Sequence, residues 1–162
     1  MLIINISFFI YRSINSTSDI PLSERQALYD LYQSTNGPSW RFYTADTIPA
    51  LPFEPPINLS SLNFGIPWNF TDNSDPCRNQ WQGVNCTTRN GETHVFMLHL
   101  SLHHLQGNLP ASLSNLTHLE IISLPYNHLN GTFPSSICTL HRLRYLDVDT
   151  NSFTGPLPNC IG

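Results

Sequence analysis

The chain has 162 residues, enough for one domain of ordinary size, and 40% of them are apolar, enough to fill a core. Charged residues make up only 11%, lysine is absent, and the seven arginines are scattered singly in a chain of net charge −4. That balance excludes a nucleic-acid groove or an anionic membrane surface as partner, because both need clustered basic groups.

Residues 2–11 form an apolar run broken by Asn5 and Ser7. The run reads as a short secretory h-region with cleavage within 13–18, but it lacks a basic n-region, so a ragged N-terminus is the other reading. It is too short to cross a bilayer, which takes ~20 apolar residues. Residues 1–19 are thus a candidate signal or disordered leader. A helix is expected over 23–35, with Ser23 as cap, Gln26 as capping-box partner and Leu22 stapled to Ala27. Ala27, Leu28, Leu31 and Tyr32 recur at helical spacing, and Asn36-Gly37-Pro38 stops the element. Residues 41–66 carry Pro49, Pro52, Pro55 and Pro56 without periodicity, and read as a loosely packed or disordered insertion or as a flap beside a binding face. Asn90-Gly91 reads as a hairpin turn.

From residue 95 a pattern returns every 24 residues. Val95, Leu98, Leu100, His103, Leu105, Gly107, Leu109, Pro110, Leu113 and Leu116 become Leu119, Ile122, Leu124, Asn127, Leu129, Gly131, Phe133, Pro134, Ile137 and Leu140. The third copy gives Leu143, Leu146, Val148, Asn151, Phe153, Gly155, Leu157, Pro158 and Ile161. Leu146 and Val148 alternate with polar neighbours, the period of a strand with one buried face. Asn127 and Asn151 stand where the chain leaves the strand, and an inward amide there can pair the turn's backbone. One unit cannot bury its own apolar row, and stacking does.

This L-x-x-L-x-L-x-x-N-x-L-x-G-x-L-P pattern resembles the leucine-rich repeats of extracellular plant-receptor-like proteins. The stretch from Ala27 to Trp40 resembles the N-terminal cap of that family, resuming at Trp68-Asn69 beyond the insertion, and Cys77 to Cys86 resembles its C-x-n-W-x-G-V-x-C motif. The resemblance implies an α/β fold: a leucine-rich-repeat solenoid with a parallel β ladder of 24-residue repeats and a helical, disulfide-stapled N-terminal cap. The cap spans 20–94 and the repeats 95–118, 119–142 and 143–162, the last incomplete, as in a fragment of a longer receptor or a chain whose open end a dimer covers. It also implies a Cys77–Cys86 disulfide. Two free thiols are the alternative, and so is a zinc site, for which His94 is the nearest candidate but has no evident partner. On the repeat template Cys138 and Cys160 lie one coil apart and are a candidate second pair; buried thiols are the alternative.

The sequons at Asn5, Asn15, Asn58, Asn69, Asn85, Asn115 and Asn130, with paired cysteines, point to a secreted glycoprotein or the extracellular face of the plasma membrane. A membrane contact requires a downstream anchor. Outward strand positions on the concave side are Met97, His99, Ser101, Ile121, Ser123, Tyr126, Tyr145, Asp147 and Asp149, the candidate ligand-binding residues. The tyrosines are natural contact anchors, and cross-strand packing is their bland alternative. His99, His103 and His104 point in different directions on the template and make no metal site; His103 takes the asparagine's place. Asp147 and Asp149 share a face, but a solvated polar face accounts for them better than a glycosidase pair or weak calcium binding. No cofactor and no catalytic residue are expected, G-x-S-x-G and H-E-x-x-H being absent. The reading is a non-enzymatic module recognising a protein, peptide or glycan. A cell-wall spacer is the main alternative, and a carbohydrate-acting hydrolase a weaker one.

Overall fold

The computed structural model describes residues 19–44, 46, 47 and 64–161. The candidate signal up to residue 18, most of the proline-rich stretch, and Asn5, Asn15 and Asn58 lie outside the described residues. Helix α1 runs Leu22–Ser34 and buries Glu24, Ala27, Leu28 and Leu31, the side that periodicity selects. Its start differs from the capping box expected at Ser23. Pro21 holds the N-cap position with no side-chain cap bond, and Gln26 Nε2 donates instead to Asp30 Oδ1 at 2.7 Å. Leu22 is 84% exposed and staples nothing. Proline is tolerated there because an N–H at that position would find no acceptor within the helix, while its carbonyl accepts from the amides of Glu24 and Arg25. At the other end Asn36 adopts φ 58, and Gly37 follows where a Cβ would sit 2.3 Å from the Tyr32 ring.

Strands β1 (Val84–Arg89) and β2 (Glu92–His99) form an antiparallel hairpin. Its turn residues Asn90 and Gly91 both have positive φ, the geometry that suits Asn-Gly. β4 (Ile121–Ser123) pairs in parallel with β2, and β6 (Tyr145–Asp147) with β4, so Met97, Ile121 and Tyr145 stand in one row and His99, Ser123 and Asp147 in another. A second parallel sheet joins β3 (Gln106–Gly107), β5 (His128–Thr132) and β7 (Ser152–Thr154). Short 3-10 turns over Ala111–Asn115 and Ser135–Thr139 complete the coils. Between the layers Leu98, Leu100, Leu105, Leu116, Leu119, Ile122, Leu124 and Leu129 are fully buried. In the last coil Leu146, Val148 and Phe153 are half-buried, and Leu157 is 57% exposed.

The cap is built on aromatics. Trp81 is buried, stacked on Trp68 at 5.7 Å and met edge-on by Phe70 at 4.7 Å, while the Arg25 guanidinium lies 5.6 Å over its ring. Disulfides join Cys77 to Cys86 and Cys138 to Cys160, with Cα separations of 5.7 and 5.6 Å. Asp75 ties the entry to the cap: its carboxylate accepts from the amides of Ile20, Cys77 and Arg78. The described ends of the proline-rich stretch are pinned rather than loose. Arg41 N donates to His103 O at 2.9 Å, Tyr43 Oη to Leu102 O at 2.7 Å, and Ile66 bridges Trp81. The carbonyls of Leu102 and His103 in the first coil thus receive the donors of Tyr43 and Arg41.

Candidate functional site

The outer strands of the described ladder are β1 and β6, and the candidate residues Tyr145, Asp147 and Asp149 lie on or just after β6. Tyr145 and Asp147 are half-buried and Asp149 is exposed. The Tyr145 hydroxyl donates to Asp147 Oδ2 at 3.3 Å, and Asp149 N donates to Asp147 Oδ1 at 3.1 Å. Burial first, and then the adjacent Asp147 carboxylate, hold the Tyr145 hydroxyl above its ordinary pKa, so it stays a donor at neutral pH. Tyr126, half-buried at φ 56, sits beside this strand through its amide, which donates to Asp149 O at 3.1 Å. Ile121 lies one strand over in the row of Tyr145, also half-buried. Tyr145, Asp147 and Asp149 are therefore linked along one stretch of chain, and Tyr126 joins it through its backbone.

The first coil does not present the surface expected of it. Met97 and His99 are 3% and 5% exposed, Ser101 7% and Ser123 1%. Strand β2 is interior: Asn85 of β1 flanks Met97 on one edge and Ile121 on the other, and His99 N donates to Gly83 O. Ser123 is enclosed between His99 and Asp147. The edges of β2 are both occupied because the hairpin adds β1, which the repeat template does not contain. His99 Nδ1 and Ser123 Oγ are buried without a hydrogen-bond partner, which native structures seldom leave so.

His99, His103 and His104 do not converge. His103 replaces the column asparagine, its Nδ1 lying 2.7 Å from Ser101 O as Asn127 Nδ2 lies 3.2 Å from Pro125 O. His104 meets the His128 ring edge-on at 4.9 Å. His94 does have partners, contrary to expectation: Glu24 Oε1 stands 2.7 Å from its Nδ1, and the His118 ring stacks on it at 3.7 Å. The signal was present in the period, since adding 24 to His94 gives His118. Glu24 lies on the buried side of α1, where a carboxylate at helical spacing looks like a solvated charge. Among the sequons, Asn115 and Asn130 are exposed, Asn85 is half-buried in β1, and Asn69 Oδ1 accepts from the Thr71 amide and hydroxyl.

Burial pulls His99 and His103 from 6.5 to about 4; Asp147 partly offsets it at His99, as the Ser101 carbonyl does at His103. Between those values the unfolded chain binds protons that the folded chain refuses, so both histidines contribute stability above pH 6.5 that is lost as pH falls towards 4. Burial also raises the Glu24 carboxyl, which acts in the opposite sense: its contribution is lost as pH rises through the raised value. With up to about 3 kcal/mol from each histidine, the net stability is expected to fall from pH 7 to pH 4.5. Urea unfolding of His103→Asn, which installs the residue of the next two coils, should show about half that decline.

A family model described as Leucine Rich Repeat matches residues 118–140 and 142–162. These two segments are leucine-rich repeats. Among solved structures, the chain is similar to the leucine-rich-repeat ectodomain of the receptor kinase SOBIR1 from Arabidopsis thaliana, at 21% identity and a TM-score of 0.52. That match covers 83% of this chain and 57% of that one. It is similar also to the BIR2 ectodomain from Arabidopsis thaliana, at 25% identity and a TM-score of 0.54, over 89% of this chain and 62% of that one. The chain spans less than two thirds of the length of either of these structures. No curated protein matches it. Among the described residues no helix is long and apolar enough to cross a membrane.

Proposed function

We propose that the chain is the ligand-recognising part of an extracellular, receptor-like leucine-rich-repeat protein, with a cap over 20–94 and 24-residue coils over 95–162. It binds a peptide or protein at the sheet face around β6. The observation that supports this reading is the hydrogen-bonded run of Tyr145, Asp147 and Asp149, which the Tyr126 backbone amide joins. Rigid aromatics with polar tips are the anchors that protein interfaces favour. The two aspartates select a partner with a basic or amide-rich segment. Receptor ectodomains among the solved structures of similar fold agree with the extracellular setting.

A random peptide-display library panned on the wild-type chain tests this reading. Peptides enriched on wild type should be lost from the Tyr126→Ala/Tyr145→Ala chain. Equal recovery from both would place binding away from these tyrosines, and no enrichment on wild type would favour a spacer whose coils hold no ligand. A hydrolase would instead lose turnover on some glycan in Asp147→Asn. Both aspartates already serve the local turn, Asp147 accepting from Asp149 N and Asp149 from the Thr150 hydroxyl, which suits a binding face better than a reacting pair.

A further inference from the structure

Three side chains from separate elements meet where α1 crosses the start of the ladder. Glu24 of α1 is buried, with one carboxylate oxygen accepting from Val95 N at 2.9 Å and the other 2.7 Å from His94 Nδ1. The rings of His94 and His118 stack with centroids 3.7 Å apart and planes 18° apart. One ligand atom from each of the three residues lies within 4.8 Å of the other two. Arg142 occupies the same column one coil further on, so the repeat itself does not demand histidine there.

We propose that Glu24, His94 and His118 hold a transition-metal dication of the zinc class. Two imidazoles and one carboxylate form a donor set that suits zinc and its neighbours, whereas calcium and magnesium take oxygens. Glu24 has an outer partner of the kind that orients metal-binding groups, and polar groups stand near both histidines. The second oxygen of Glu24 is fixed by the Val95 amide, His94 Nε2 faces Glu92 Oε2 at 3.6 Å, and His118 Nδ1 lies 3.4 Å from Thr117 Oγ1. Glu24 and His94 Nδ1 make the fixed half of the site. His118, half-buried at the surface, turns about its side-chain torsions to bring a nitrogen to the ion. A fourth position stays open to water. Bound there, the ion ties the cap helix to the first two coils and adds to the stability of the folded chain alone, since the unfolded chain holds no such site.

The test is calorimetric titration of Zn2+ into the chelator-treated full chain at pH 7.5, with disulfides intact, alongside its melting temperature with and without the ion. One equivalent of Zn2+ should bind and raise the melting temperature. His118→Ala, which spares the buried Glu24–His94 pair, should keep the metal-free melting temperature and weaken Zn2+ binding about tenfold or more. His128→Ala, which breaks the other histidine pair, should change nothing. No binding, equal affinity in His118→Ala, or loss in His128→Ala would each overturn the proposal.

Discussion

Gly107→Ala should cost about 3 kcal/mol or more, against about 1 kcal/mol for Gly91→Ala, because only the first adds a collision to the strain of a glycine conformation. At Gly107 φ is +129, and a Cβ would stand 2.1 Å from Ser34 O, the carbonyl at the end of α1. That carbonyl accepts from Asn108 N at 3.2 Å, and its neighbour Thr35 O accepts from Gln106 N at 3.0 Å. Relief of the contact therefore pushes the end of the helix away from the first coil and breaks these two bonds between them. Gly91 has a similarly positive φ of +83 but nothing within 4 Å of its added Cβ. Trp40, Trp68 and Trp81 all lie in the cap, so urea unfolding followed by tryptophan fluorescence reads the junction directly. Equal losses in the two variants would mean that the glycine serves backbone freedom alone.

Asn127→Ala should destabilise by about 3 kcal/mol, since each buried polar group left unpaired costs about 1–3 kcal/mol. The Asn127 amide nitrogen reaches Leu100 O at 2.7 Å, Leu124 O at 3.0 Å and Pro125 O at 3.2 Å, and its oxygen accepts from Leu105 N at 3.0 Å. The side chain thus closes its own turn and clamps the coil before it. Asn151 repeats the pattern one coil on, donating to Leu124 O, Val148 O and Asp149 O and accepting from Leu129 N. It is half-buried, and water can replace it, so Asn151→Ala should cost about 1 kcal/mol. Urea midpoints rank the two, and amide exchange should accelerate at Leu105 in the first variant and at Leu129 in the second. The reverse ranking would contradict a clamp whose worth grows with burial.

The repeat columns were legible because translation by 24 residues preserves chemistry, and a buried row such as Leu100 and Leu124 leaves no freedom in residue type. The role of His103 was legible for the same reason: an imidazole can do what the column amide does. The start of α1 was not, since Ser23 and Pro21 both suit a helix N-terminus and only packing chooses between them. The exposure of Met97, His99, Ser101 and Ser123 was misjudged because side-chain alternation gives direction, while burial depends on neighbours. Strand β2 lies between β1 and β4, and its Met97 and His99 are buried there. Glu24, His94 and His118 were missed because their meeting depends on how α1 crosses the ladder, a contact between residues some 70 positions apart in sequence.

Recognition at the β6 face is tested most directly by calorimetric titration of a library-selected peptide into the wild-type and Tyr126→Ala/Tyr145→Ala chains, with the melting temperature of each as control. The double variant should bind about tenfold or more weakly and melt where wild type melts. Unchanged affinity would contradict recognition at this face.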